Sequence, residues 1–236
     1  VATCDIELPQ VPAGLSALLS GAKPAAITSR LLEELLAAPG NHAAAWRGEK
    51  RLELDYRPVP LAAPTASDLP LQTGGHYLIT GGYGGIGLTI AEHLMQSYEA
   101  RITLLSRDAL PPRAEWDRYL RRHSPADRIA TRIRAVQKLE ATGRGEVLTL
   151  SADVCNLQDM RDAAEAARAA FGPITGLFHG AGHIADAPLL AKTDRQIAEV
   201  LAPKVNGLRV LDQVFPDGTL DLMVLFSSSS TVTRPA

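Results

Sequence analysis

Apolar strand patterns and helical patterns alternate along the C-terminal two thirds of the chain. Short apolar runs predict strands at 76–80, 100–106, 146–150, 174–179 and 221–226. Helical periodicity predicts helices over 86–97, 157–171 and 194–215. Parallel strands need crossover connections that cover the faces of their sheet. The order therefore predicts an α/β fold with a doubly wound parallel sheet.

The N-terminal part of the chain has a different pattern. Leucines at 31, 32, 35 and 36 predict an amphipathic helix over 26–38, and two short polar-apolar runs around Gly48-Glu49-Lys50 predict a hairpin. Residues 58–75 contain four prolines and no periodicity, which is typical of a linker. We therefore expect residues 1–57 to be the end of a small subdomain, 58–75 a linker, and 76–236 the main subdomain.

A long basic insertion follows the second strand of the main subdomain. Between Arg107 and Arg144, ten basic residues stand against five acidic ones. A basic binding patch is one interpretation, but a solvated helical surface is favoured. Its inner stripe would consist of Trp116, Tyr119, Leu120, Ile133 and Val136.

Composition excludes several classes of function. The chain has 236 residues, with 24 Lys and Arg against 26 Asp and Glu, so no nucleic-acid partner is expected. No apolar run has membrane-span length and the N-terminus lacks a signal pattern, so we expect a cytoplasmic protein without a membrane partner. Cys4 and Cys155 lie far apart, and His179 with His183 has no carboxylate support, so no metal site is expected.

A glycine-rich loop joins the first main strand to the first helix. It consists of Thr80, Gly81, Gly82, Tyr83, Gly84, Gly85, Ile86 and Gly87. Glycines allow tight turns and leave backbone amides open, so that a pyrophosphate can approach the positive end of the helix. A merely tight turn needs fewer glycines. The loop therefore predicts nucleotide binding.

The end of the second strand indicates which dinucleotide binds. Arg107 lies twenty residues after Gly87 and is preceded by Ser106. In NAD-binding proteins an acidic residue at about this position binds the ribose 2′-hydroxyl. A guanidinium can bind a 2′-phosphate through two hydrogen bonds. These two residues predict NADPH as the cofactor, although Arg107 could also simply begin the exposed insertion.

Several motifs, in order, resemble the short-chain dehydrogenase/reductase superfamily. Thr80–Gly87 matches its nucleotide loop, Asp153 and Val154 match its adenine contact, and Gly180, Ala181 and Gly182 match the turn beside the nicotinamide. More narrowly, Leu104–Arg107, His179–Gly182, Ala202–Gly207 and Val224–Ser228 together resemble the ketoreductase domain of modular polyketide synthases. The resemblance covers residues 76–230. It implies a Rossmann-type sheet, C-terminally incomplete here, preceded by the end of a smaller Rossmann-like structural subdomain.

The resemblance also implies an activity and partners. It implies reduction of a β-ketoacyl thioester to a β-hydroxyacyl thioester with NADPH. The substrate would be carried on the phosphopantetheine arm of an acyl carrier protein, among neighbouring domains of the same synthase. In such a site, donors must face the ketone oxygen as negative charge grows on it.

The family's catalytic residues map onto two positions of this chain. Lys204 matches the orienting lysine, and Ser228, within four consecutive serines, matches the serine that bonds the substrate oxygen. The family's proton-donating tyrosine would fall about 13 residues after Ser228, beyond Ala236. Residues 1–236 alone are therefore expected not to reduce a ketone, and a tyrosine read further along the frame would indicate catalysis.

One residue bears on the stereochemical outcome. Asp186 retains the last position of the Leu-Asp-Asp pattern of B-type members, which give the D-hydroxyl, and Thr233 stands where A-type members have Trp. The sequence thus favours a B-type enzyme, although Asp186 could instead cap the next helix. A catalytically inactive nucleotide-binding or scaffold domain and a stand-alone short-chain reductase remain alternative functions.

Overall fold

The computed structural model describes residues 3–6, 24–36, 43–47, 50–54, 57–60, 62 and 70–228. The chain divides into two compact units, residues 1–63 and 64–236. The division falls inside the proline-rich stretch 58–75.

The first unit contains a three-stranded mixed sheet and one helix among its described residues. β1 (Thr3–Ile6) pairs in parallel with β2 (Ala43–Arg47), which pairs antiparallel with β3 (Lys50–Glu53), as the hairpin prediction requires. The helix α1 (Pro24–Leu36) confirms the predicted helix, two residues earlier at each end. Glu34 of α1 accepts hydrogen bonds from Arg51 Nε (2.6 Å) and Trp46 Nε1 (2.9 Å), which lower the pKa of the Glu34 carboxyl.

The second unit is built on five parallel strands. They are β4 (His76–Thr80), β5 (Arg101–Ser106), β6 (Glu146–Ser151), β7 (Gly176–His179) and β8 (Leu222–Leu225). Their order in the sheet is β6-β5-β4-β7-β8, and every neighbouring pair is parallel. This confirms the Rossmann-type doubly wound sheet.

Helices connect these strands. They are α2 (Gly85–Tyr98), α3 (Trp116–Arg122), α4 (Arg128–Glu140), α5 (Leu157–Phe171) and α6 (Asp194–Val214). Side chains cap three of the N-termini: Asp127 caps α4, Asn156 caps α5, and Thr193 forms a capping box with Gln196 on α6. The three helices predicted in this unit are therefore present, with boundaries within one residue.

The helices cover both faces of the sheet. Tyr77 and Ile79 of β4 point into a core with α2 and α4, whereas Leu78, between them, points into a second core with α5 and α6. All five residues of β4 are buried. Side chains of a strand alternate between its faces, so continuous burial means that β4 is covered on both sides.

The basic insertion forms a 3-10 turn at Arg113–Glu115 followed by α3 and α4. Its predicted inner stripe is confirmed. Trp116, Ile133 and Val136 are buried, and Tyr119 and Leu120 pack against the same core. Arg113 also pairs with Glu140 across the insertion.

Within the described part of the chain, no helix has the length and apolarity needed to cross a bilayer. Nor do the described residues contain a group of three or more His, Cys, Asp or Glu side chains placed to hold a metal ion.

Candidate active site

The carboxyl ends of the five strands meet at one edge of the sheet. In the strand register Thr80 lies beside both Leu105 and His179, and His179 lies beside Leu225. β4 is the strand at which the chain order reverses, where ligands bind in open α/β sheets. A cavity of about 810 Å³ opens at this edge. Its lining includes Gly81, Tyr83, Gly84, Ser106, Arg107, Asp153, Val154, Gly180, Ala181 and Gly182.

The glycine loop is shaped by backbone conformation and by close packing. Gly81 has φ +67°, and a Cβ there would lie 2.6 Å from the carbonyl oxygen of Gly180. A Cβ on Gly87 would lie 2.9 Å from Cα of Gly82. Only glycine fits at these two positions, because any larger residue would separate the loop from β7 or from its own helix.

The N-terminus of α2 differs from those of α4, α5 and α6. Its N-cap is Gly84, which supplies no side-chain acceptor to the amides of the first turn. A Cβ on Gly85 would meet no atom within 4 Å, so the approach to those amides is open. Open amides at a helix N-terminus suit a phosphate group, which fits the predicted pyrophosphate site.

Ser106 and Arg107 end β5 at the rim of the cavity. Arg107 is exposed, and no described residue forms a hydrogen bond or ion pair with its guanidinium. Ser106 Oγ donates to the carbonyl oxygen of Asp108 at 3.0 Å. The serine proton is thus used by the turn that presents Arg107, while its oxygen remains available as an acceptor.

Asp153 and Val154 lie where β6 ends. Asp153 Oδ1 accepts a hydrogen bond from the amide of Cys155 (2.9 Å), which fixes the carboxylate beside the cavity. Val154 is buried against Gly207 of α6, where an added Cβ would lie 3.0 Å from Val154 Cγ1. Burial, then the charge of Asp153, raises the pKa of the Cys155 thiol.

A chain of hydrogen bonds links the glycine loop to α6. The amide of Ala181 donates to Thr80 Oγ1 (3.2 Å), which lies 2.8 Å from His179 Nδ1, and His179 Nε2 lies 3.0 Å from the carbonyl oxygen of Pro203. A carbonyl can only accept, so Nε2 carries the proton and Nδ1 accepts from Thr80. Burial, together with the charge of Lys204, lowers the pKa of His179, which agrees with a neutral ring.

The predicted catalytic residues are on α6 and in the segment that follows β8. Lys204 follows Pro203 on α6, and its Nζ would lie 3.9 Å from a Cβ on Gly182. Its Nζ donates to the carbonyl oxygen of Val200 at 3.3 Å. Ser228 lies three residues beyond the end of β8. β8 pairs with β7, the strand that leads into the Gly180–Gly182 turn. Lys204 therefore lies beside the Gly180–Gly182 turn that borders the cavity, whereas neither Lys204 nor Ser228 is among the residues that line it.

Two predicted positions bear on the stereochemical outcome. Asp186 is an exposed residue of the segment between β7 and α6, and its side chain caps none of the helices in the described part of the chain. Thr233 lies outside the described residues.

The structure also shows contacts that the sequence analysis missed. The sequence analysis includes His179 in the His179–Gly182 motif and rejects it as a metal ligand, but it does not predict that His179 bridges two elements of the site. Arg132 of α4 lies over the ring of Tyr83, 5.1 Å from its centroid. Contacts between segments so far apart in the sequence carry no local signal, although the repeated arginines of α4 indicate a charged face.

Comparison with known proteins decides the family. The model of the KR domain matches residues 75–236, more than half of the chain. The chain belongs to the KR domain family. KR domains are ketoreductases of the short-chain dehydrogenase/reductase superfamily.

Relatives of this KR domain are polyketide synthases. It is 39% identical over 153 residues to 6-methylsalicylic acid synthase of Aspergillus terreus, covering 64% of this chain and 8% of that protein. It is 37% identical over 161 residues to 5-methyl-1-naphthoate synthase of Streptomyces sahachiroi, covering 68% of this chain and 9% of that protein. The chain thus spans less than a tenth of the length of these two relatives.

A solved structure supports the same assignment. The ketoreductase domain from the bacillaene assembly line has a TM-score of 0.65 and 25% identity, with 99% of this chain and 48% of that chain covered. The KR domain therefore has the fold and the family of polyketide synthase ketoreductases.

Proposed function

We propose that this KR domain reduces a β-ketoacyl thioester to a β-hydroxyacyl thioester with NADPH. The substrate is carried on the phosphopantetheine arm of an acyl carrier protein, next to other domains of the same polyketide synthase. The observation that supports this best is the cavity at the strand ends, which joins the glycine loop and Arg107 to the turn beside Lys204.

The residues of the cavity fit the proposed cofactor. The open amides of α2 suit its pyrophosphate, Arg107 suits its 2′-phosphate, and Asp153 suits its adenine. When bound, NADPH supplies the hydride for the reduction. The guanidinium of Arg107 has no partner among the described residues, so binding a phosphate breaks no ion pair of that side chain.

The chain's own polar groups act on the ketone. The Ser228 hydroxyl donates a hydrogen bond to the ketone oxygen, and the Lys204 ammonium stabilises negative charge there and orients the neighbouring groups. The proton that completes the alcohol comes from the tyrosine expected about 13 residues after Ser228. Lys204 is close enough to Gly182 to act on a substrate held against that turn.

The activity is tested with a β-ketoacyl N-acetylcysteamine thioester and the protein encoded by the whole reading frame. We expect NADPH-dependent formation of the β-hydroxyacyl thioester. Ser228→Ala and Lys204→Met are each expected to lower kcat by about 100-fold, as for loss of one oxyanion donor. Ser227→Ala is the matched control and should retain most activity. No turnover by the unaltered protein, with NADPH bound, would instead support a scaffold domain.

The same reaction tests the stereochemical proposal. We propose a B-type enzyme that gives the D-hydroxyl product, on the basis of Asp186. Chiral chromatography of the product distinguishes the two alcohols. A predominantly L product would overturn this assignment without affecting the proposed reduction.

A further inference from the structure

Arg132 belongs to the basic insertion, yet it lies on the glycine loop. Its guanidinium carbon is 5.1 Å from the centroid of the Tyr83 ring, and its side chain is only 16% exposed. It lines the same cavity as Arg107. The insertion therefore brings a second guanidinium, already ordered, to the β5 end of the proposed cofactor site.

One carboxylate holds two arginines of α4 at this place. Asp108 Oδ2 accepts from Arg132 Nη1 (3.1 Å) and from Arg128 Nη2 (2.7 Å). No other hydrogen bond or ion pair to these two guanidiniums is found among the described residues. A guanidinium carries five N–H groups, so each retains donors for an incoming anion.

Positive and negative side chains line different parts of the cavity. The cations Arg107, Arg128 and Arg132 all come from the end of β5 and from α4, where Asp108 is the nearby anion. The other carboxylates of the lining, Asp153 and Glu199, come from the end of β6 and from α6. The surplus of positive charge thus lies at the β5 end, where a ribose 2′-phosphate would be placed.

We propose that Arg132 is a second specificity-determining residue, which binds the 2′-phosphate together with Arg107. This rests on the proposed use of NADPH. The planar guanidinium is held against the Tyr83 ring, so it loses little conformational freedom when it binds a phosphate. Burial raises the pKa of Tyr83 to about 12, so the ring that supports Arg132 stays neutral at physiological pH.

Arg132 could alternatively serve only to tether the insertion to the glycine loop. The two roles are distinguished by adenosine 2′,5′-bisphosphate and AMP, which differ only in the 2′-phosphate. Loss of a tether would weaken the binding of both nucleotides. Loss of a 2′-phosphate ligand would weaken the binding of the bisphosphate alone.

The experiment measures how well each nucleotide displaces NADPH from the protein encoded by the whole reading frame. For Arg132→Gln we expect about tenfold weaker binding of the bisphosphate and unchanged binding of AMP. Arg134→Gln is the matched control: Arg134 lies on the same helix, is half-buried like Arg132, and donates a hydrogen bond to the carbonyl oxygen of Pro125 instead. It should leave both affinities unchanged.

Several results would overturn the proposal. An unchanged ratio of the two affinities in Arg132→Gln, or an equal loss for both nucleotides, would do so. If Arg132→Gln does not fold, Arg132→Lys is measured instead, because lysine keeps the positive charge and lacks the planar guanidinium. A ratio of bisphosphate affinity to AMP affinity equal to that of the unaltered protein would then contradict the proposal. If Arg107→Gln retains the preference while Arg132→Gln loses it, the inference stands and the role proposed for Arg107 fails. If the unaltered protein shows no preference for the bisphosphate, both fail.

Discussion

Gly81 combines a left-handed backbone conformation with a close contact across the site. An added methyl group would be strained at φ +67° and would approach Gly180 O to 2.6 Å. We therefore expect Gly81→Ala to lower the free energy of unfolding by about 2 kcal/mol or more and to weaken NADPH binding. Urea denaturation and a fluorescence titration with NADPH measure the two effects.

Gly85 provides the matched control for that substitution. Its Cβ would meet nothing within 4 Å, and it lies in the first turn of α2. Gly85→Ala should leave stability unchanged or raise it by up to about 1 kcal/mol. Equal destabilisation by the two substitutions would contradict the role given to Gly81.

Two buried histidines make stability depend on pH. Burial lowers the pKa of His76 and of His179 from the ordinary 6.5. The unfolded chain then binds more protons than the folded chain below about pH 6.5, so stability rises with pH through that window and levels off above it. The urea concentration at the unfolding midpoint should therefore decrease as the pH is lowered from 7 to 5.

Single variants isolate each histidine from the carboxylates that titrate in the same range. His179→Gln and His76→Gln should each reduce the pH dependence of the midpoint, because neither amide takes up a proton. A midpoint that falls as steeply in both variants as in the unaltered protein would show that these rings are not held neutral by the fold.

Some of these residues could be assigned from sequence and others could not. The assignment of Gly81 to a nucleotide-binding loop needed only a predicted strand followed by several glycines and a predicted helix, because these features are adjacent in the sequence. The role of His179 depends on Thr80 and on Pro203, 99 and 24 residues away. These contacts form only when β4, β7 and α6 come together in the folded protein, so no local sequence pattern predicts them.

At the level of elements, α6 crosses the end of β6 at Gly207. A Cβ there would lie 3.0 Å from Val154 Cγ1, so Gly207→Ala should overpack this contact and cost about 1–2 kcal/mol. Val154→Ala alone should also destabilise, because it removes buried methyl groups.

The double variant tests whether the two effects share one contact. If the methyl group added at position 207 collides with those of Val154, Gly207→Ala with Val154→Ala should be more stable than the sum of the single changes predicts, by about 1 kcal/mol. Strictly additive free energies of unfolding would place the strain of Gly207→Ala elsewhere.

Helix boundaries in the second unit were readable because their signals are local. Asn156 and Thr193 are preferred N-cap residues, and α5 and α6 begin directly after them. The helix α1 was placed two residues late, since its start at Pro24 follows a proline preference that leucine periodicity does not register. Periodicity gives the face of a helix more reliably than its ends.

For the whole molecule, bound cofactor should stabilise the unit that contains the cavity. The chain has two tryptophans, Trp46 in the first unit and buried Trp116 in the second. In Trp46→Phe, fluorescence reports on Trp116 alone. NADPH at 100 times its Kd should then raise the free energy of unfolding by about 2.7 kcal/mol, and an unchanged transition would contradict binding in this unit.

Preference for NADPH over NADH tests the central claim most directly, because the two cofactors differ only in the 2′-phosphate. We measure it by calorimetric titration of the unaltered protein and of Arg107→Asp. The account predicts at least about tenfold tighter binding of NADPH, and a loss or reversal of that preference in the variant. Equal affinities in the unaltered protein, or a preference that persists in Arg107→Asp, would contradict it.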